Sequence, residues 1–179
     1  GSGQKSAESL PLSLGGAITG TYSYTADRRL ATATIGGVTG SYSFDGASNL
    51  VANTEGSATT SFTYDSANRL TQSSDGTTTT LYGWDTTNGW RTSQGPSGNP
   101  TQIQLTYTKG GGSTSIGRLM RYQNSATSTD ASYTYDAEGQ RTKSVVTVGS
   151  TTTTTEFTYE GLSLMKLSAT QGSTSWRID

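Results

Sequence analysis

The amino-acid sequence predicts an all-β fold, a repeat array of antiparallel β-hairpins forming a curved or spiral sheet. Three observations carry this expectation. Seven times along the 179 residues a large apolar pair, usually aromatic, recurs with one residue between its members: Tyr22/Tyr24, Tyr42/Phe44, Phe62/Tyr64, Tyr82/Trp84, Leu105/Tyr107, Tyr133/Tyr135 and Phe157/Tyr159. The pairs start 20, 20, 20, 23, 28 and 24 residues apart, room for two short strands in each unit. An acidic or polar residue and a turn usually follow the pair, and no stretch sustains a helical period of about 3.6 residues.

Residues 1–16 stand outside the pattern: Gly1-Ser2-Gly3 reads as an expression scar, and Leu10, Leu12 and Leu14 alternate as in a linker or an added edge strand. The repeat array occupies residues 17–179. Its third unit is the clearest, with Phe62-Thr63-Tyr64 as strand, Asp65-Ser66-Ala67-Asn68 as turn, and Arg69-Leu70 opening the return strand. Side chains alternate along a strand, so Phe62 and Tyr64 share one face and Thr63 takes the other. Asp65 and Asn68 suit the turn because short polar side chains bond nearby backbone amides. Asp45 and Leu50 repeat this arrangement in the second unit, as do Arg29 and Leu30 in the first. Later copies drift: after Tyr82, Trp84 and Asp85, residues Gly89 and Trp90 stand where Arg and Leu stood. Beyond Tyr107, Lys109-Gly110-Gly111-Gly112-Ser113 reads as an insertion that delays Arg118-Leu119. Tyr133, Tyr135 and Asp136 recover the motif, and Phe157 and Tyr159 close it.

About fourteen strands at about 4.8 Å each make a ladder on the order of 65 Å, beyond the roughly ten strands at which twisted sheets curl or split, so curvature is expected. The aromatic stripe is expected to line one face as a buried core.

Composition narrows the function. Only 30% of the residues are hydrophobic and 23 are glycine, so the core is thin. With 12 basic and 13 acidic residues the net charge is -1, which gives no electrostatic basis for nucleic acid. Cysteine and histidine are both absent, which removes disulfides, thiolate nucleophiles, ordinary zinc sites and the usual neutral-pH base. No run approaches the roughly 18 apolar residues of a membrane-spanning helix, and no membrane insertion is expected. The balance points to an exported β protein without catalytic activity or cofactor.

The recurring Tyr-x-Tyr-Asp-x-x-x-Arg-Leu pattern, carried by Phe62, Tyr64, Asp65, Arg69 and Leu70 and repeated around Tyr22, Tyr24, Tyr42, Phe44, Asp45, Tyr133, Tyr135 and Asp136, resembles the YD-repeat, or Rhs, family. That family includes bacterial Rhs shells, Tc-toxin cocoon components and the animal teneurins, and the resemblance covers roughly residues 20 to 179. It implies a spiral of hairpins wrapping a hollow shell, with aromatics stacked between neighbouring repeats; this chain would form a partial YD-type shell or solenoid. Complete shells of the family need many more repeats, and the closing segment with its self-cleaving aspartates is not present in this sequence. The implied role is a structural or encapsulating module of an exported bacterial surface or toxin-delivery protein. The implied location is extracellular or at the cell surface, with any signal or anchor outside this sequence. Its partners would be the remaining repeats of a larger parent shell or copies of itself.

Other readings compete with this one. Ser163-Leu164-Met165-Lys166 matches a Ser-x-x-Lys motif but lacks the further motifs that chemistry needs, and residues 112–118 have phosphate-loop glycine spacing without the Lys-Ser/Thr that grips phosphate. Asp45, Asp65, Asp85 and Asp136 recur at one position as a calcium array might, yet one carboxylate per unit suits turn formation better. The threonine runs 77–80 and 151–155 suit solvent-facing strands better than an ice-binding array. Trp84, Trp90 and Trp176 are candidates for stacking on sugar rings, which leaves a surface module binding glycan or protein as one alternative. Unpaired strand edges leave a self-assembling filament or oligomer as another.

Overall fold

The computed structural model describes residues 4, 7–12, 16–108 and 117–178. Among the described residues there are sixteen strands and no helix. The strands are β1 (Ala7–Leu12), β2 (Gly16–Tyr24), β3 (Leu30–Ile35), β4 (Val38–Phe44), β5 (Leu50–Glu55), β6 (Ala58–Tyr64), β7 (Leu70–Ser74) and β8 (Thr79–Trp84). Then come β9 (Arg91–Pro96), β10 (Ile103–Tyr107), β11 (Leu119–Asn124), β12 (Thr129–Tyr135), β13 (Arg141–Val148), β14 (Thr151–Glu160), β15 (Ser163–Gln171) and β16 (Thr174–Ile178). The chain divides into two compact units, residues 1–80 and 81–179, the boundary falling within β8. Within each unit the strands lie in chain order and pack on their sequence neighbours. The all-β hairpin array expected from the repeat is thus the fold; the insertion expected at 109–113 and Leu14 lie outside the described residues.

Each aromatic pair lies at the end of a strand, Phe157/Tyr159 one residue short of it, and two kinds of turn alternate. The return strand passes to the next unit through a two-residue turn such as Gly56-Ser57, Gly149-Ser150 or Gly172-Ser173. The first position takes positive φ (59°, 58° and 57°), which glycine adopts freely and which matches the twist of the paired strands. Hydroxyl pairs flank such turns, Thr34 with Thr39 at 2.8 Å, Thr54 with Thr59 at 2.9 Å and Thr147 with Thr152 at 2.9 Å.

The other turn follows the aromatic pair and carries the acidic residue. Immediately beyond it the register slips by one residue. Tyr24 pairs with Leu30 while Ser23 pairs with Thr32, so Ala31 is extra; Val51, Thr71, Met120, Thr142 and Met165 are extra in the same way. Such a bulge bends the strand and sharpens its twist. At two of them the extra residue bonds back, Thr71 Oγ1 to the Thr63 carbonyl (3.0 Å) and Thr142 Oγ1 to that of Thr134 (3.3 Å).

Burial follows the period of two. Tyr22, Tyr24, Tyr42, Phe44, Phe62, Tyr64, Tyr133, Tyr135, Phe157 and Tyr159 are half-buried, and the residue inside each of these pairs is exposed. The expected buried aromatic core is corrected here. The buried apolar residues among those described are Ala33, Ala131 and Ala169, and no large side chain is fully buried. Among the described residues of each unit the strands pack only on their neighbours, with no second layer over the apolar face, so the rings shield one another only in part.

Candidate functional site at the carboxylate turns

The carboxylate turn is built from one side chain. The Asp65 amide donates to the Arg69 carbonyl (3.0 Å) and the Asn68 amide to the Asp65 carbonyl (3.0 Å). Asp65 Oδ1 accepts the amides of Ala67 (2.9 Å) and Arg69 (3.0 Å), and Oδ2 takes Arg69 Nε (2.7 Å). Asp45 does the same with Ala47 (2.9 Å) and Asn49 (2.8 Å), its Oδ2 meeting Asn49 Nδ2 (2.9 Å). Asp136 Oδ1 accepts the Gln140 amide (2.7 Å), and in the first unit Thr25 Oγ1 accepts from Arg29 (3.1 Å). The fourth turn residue takes the left-handed conformation at Arg28 (64°), Ser48 (71°), Asn68 (59°) and Gly139 (90°).

These bonds favour the ionised carboxylates. Arg69 and the turn amides hold the Asp65 carboxyl below its usual range, and the Asn49 side chain and amides do so for Asp45. The amides of Thr78 and Thr77 lower Asp75, and Arg121 lowers Asp130. Among the described residues no three acidic side chains gather as a cation site would need.

At four of the turns the residue just before the return strand links one turn to the next. Arg29 donates to the Asp45 carbonyl (2.9 Å) and Ser48 Oγ (3.2 Å) with its guanidinium over Phe44, 5.2 Å from the centroid. Asn49 Nδ2 donates to Asn68 Oδ1 (2.9 Å), and Gln140 Nε2 to the Gly161 carbonyl (2.8 Å). Arg118 lies over Tyr135 at 5.9 Å, against Gly139, where a Cβ would collide with the guanidinium. Tyrosine hydroxyls add a second link, Tyr64 to the Leu50 carbonyl and Tyr135 to that of Leu119, both 2.9 Å. Neighbouring repeats are therefore tied by polar and cation–π rungs rather than by stacked rings alone. Asn49 and Gln140 carry no motif letter, and only their place after the aspartate marks them.

At Trp84 the sequence alignment needs correction. The Asp85 amide donates to the Trp90 carbonyl (2.8 Å), so this turn is one residue longer and Trp90, not Gly89, fills the linking slot. Arg91 then opens β9, as Arg141 opens β13, where leucine opens β3, β5, β7 and β11. Asp85 Oδ1 accepts from Thr87 (3.0 Å) and Asn88 (2.6 Å). The indole lies 5.3 Å from the Tyr107 ring at 41°, and Gly117 backs it so closely that a Cβ there would overlap the ring. Asp85, Asn88, Trp90, Leu105 and Tyr107 line an open cleft of about 260 Å³. Trp84 on β8 and Trp176 on β16 do not line it. Tyr82 lies on β8, and Trp176 is 46% exposed on the last described strand. Ser163 and Lys166 lie on β15, a strand rather than the helix that Ser-x-x-Lys chemistry uses.

Hairpins in chain order, a bulge at the start of six of the return strands and side-chain rungs between turns define a β-repeat array of the shell type. The model of the teneurin YD-shell family matches residues 14–170, and the chain belongs to that YD/Rhs-repeat family. No curated protein sequence matches it. Among solved structures it is similar to the crystal structure of TcdB2-TccC3, with 16% identity, a TM-score of 0.75, and coverage of 96% of this chain and 11% of that one. The TcdB2-TccC3-Cdc42 crystal structure matches with 15% identity and a TM-score of 0.74, covering 96% of this chain and 11% of that one. The Tc holotoxin pore of Photorhabdus luminescens, carrying a substitution in TccC3, matches with 19% identity and a TM-score of 0.72, covering 90% of this chain and 9% of that one. The chain thus spans about a tenth of the length of the structures it matches.

Proposed function

We propose that this chain is a length of shell wall, an encapsulating β-repeat module without chemistry of its own that serves an exported bacterial surface or toxin-delivery protein. The half-buried aromatic face carries the reading. Tyr64 and Tyr135 are each held by a hydroxyl rung to an earlier return strand, and with Phe62 and Tyr133 they remain partly open, as the lining of an enclosure is and the core of a globular domain is not. Its natural partners on this reading are further repeats of the same kind. A fusion that appends an unstructured polypeptide to the C-terminus tests enclosure. The appended segment should be digested several-fold more slowly than the same segment fused to an unrelated β domain of equal size, and equal digestion rates would sink the reading.

A second reading, self-association through the terminal hairpin, is favoured by Leu162, Leu164, Met165, Trp176 and Ile178, which are 92%, 50%, 50%, 46% and 66% exposed on or beside β15 and β16. Leu164→Lys with Leu167→Lys should abolish any concentration-dependent light scattering. A wild-type protein that stays monomeric into the high-micromolar range would rule this reading out.

A further inference from the structure

The linking slot shows what this rim accepts. It holds guanidinium groups at Arg29 and Arg118 and carboxamides at Asn49 and Gln140, each reaching the next turn. Arginines also lie on rings outside the slot, Arg141 at 4.4 Å from the Tyr133 centroid and 5.9 Å from that of Tyr135. Planar cations on aromatic rings are thus the recurring contact of the molecule. At Trp90 the slot instead holds a neutral ring, and the 260 Å³ cleft opens beside it.

We propose that this cleft binds the guanidinium group of an arginine presented by a partner protein. An indole attracts a cation more strongly than tyrosine or phenylalanine does, and Trp90 and Tyr107 stand together on one wall. Among the described residues the lining carries one carboxylate, Asp85, and no basic side chain, so its charge complements a cation. Its volume lies below the roughly 300–1,000 Å³ of pockets for drug-sized ligands and suits a single side chain. The site goes beyond the wall role proposed above and stands without it.

The test is a nitrogen-15 NMR titration of the whole chain with N-acetyl-arginine amide, a stand-in for a peptide arginine. Saturable shifts at the Trp90 indole N–H, Asn88 and Tyr107 are expected, with a dissociation constant of about 1–10 mM for one cation–π contact plus one charge-assisted bond. N-acetyl-citrulline amide has the same shape without the charge and should bind at least about tenfold more weakly. Trp90→Arg restores in cis the cation that other repeats carry, so it should keep the β-sheet circular dichroism and lose the binding. If that variant does not fold, Thr92→Arg brings a tethered guanidinium to the same lining without touching the slot. Equal binding of the citrulline compound, undiminished binding by the folded arginine variant, methyl glucoside shifting the same resonances at lower concentration, or no shift at tens of millimolar would each overturn the proposal.

Discussion

The turn from Tyr64 to Leu70 and the turn from Trp84 to Arg91 do the same work with different materials. Both begin with an aspartate whose Oδ1 gathers backbone amides two and three or four residues ahead. In the first, Arg69 closes on its own Asp65 at 2.7 Å; in the second, the turn is one residue longer and Trp90 packs against Tyr107. The difference separates what the architecture requires from what it tolerates. An acceptor at the head of the turn satisfies amides that would otherwise lack partners; it is a carboxylate in both of these turns and a hydroxyl at Thr25. The link to the next repeat needs only a flat group that reaches, so guanidinium, carboxamide and indole all serve.

Acid should weaken the carboxylate contacts of the regular turns first and has the largest expected effect. Folding lowers the pKa values of Asp45, Asp65, Asp75 and Asp130. Their contribution is therefore complete above the ordinary carboxyl value of 3.8 and is lost as pH falls below it towards the folded-state values. The thermal midpoint should hold steady from pH 7 to about 5 and drop steeply below about 4. Amide resonances of Ala47, Asn49, Ala67 and Arg69 should move together in that window. A midpoint that declines between pH 7 and 5 and is flat below 4 would mean that the turn carboxylates do not hold the fold.

The rung behind the turn comes next. Tyr64 is half-buried and its hydroxyl donates to the Leu50 carbonyl, so Tyr64→Ala should cost about 2–3 kcal/mol, less than the roughly 3–5 kcal/mol of a fully buried aromatic. Tyr64→Phe removes the bond alone and should cost about 1 kcal/mol, as should Tyr135→Phe, which makes the equivalent bond to Leu119. Urea unfolding of the three variants decides it. A Tyr135→Phe cost near zero beside a full cost at Tyr64 would show that the two hydroxyl rungs are not equivalent.

Much of this was legible in the chain itself. Alternation about Phe62-Thr63-Tyr64 set the faces, and the aspartate at a fixed place after the pair announced the turn, because both rest on local geometry that a short window of residues determines. The depth of burial was not legible, since it depends on whether a second layer covers the sheet. The bulge at Ala31, Val51 and Thr71 left no mark in composition, because any residue can occupy the extra place in a return strand. The slot at Trp90 was misaligned for a related reason. One added residue in a turn leaves the hydrophobic pattern intact while moving every side chain after it, and only the hydrogen bond from Asp85 to the Trp90 carbonyl fixes the count.

The smallest effect belongs to the face opposite the rings. Thr54 and Thr59 oppose each other beside the Gly56-Ser57 turn with their hydroxyls 2.9 Å apart, both in reach of solvent. Water can replace either hydroxyl as a partner, so the bond between them exchanges for others of similar strength. Threonine and valine share the branched shape that favours a strand, so replacing one by the other leaves the backbone preference almost unchanged. Thr54→Val, Thr59→Val and the double variant should therefore each lie within about 0.5 kcal/mol of wild type, with a coupling energy of about 0.2–1 kcal/mol in the double-mutant cycle. A coupling well above that range would place these hydroxyls among the contacts that set strand register, and the stabilisation assigned here to the carboxylate turns would have to be shared with the glycine turns.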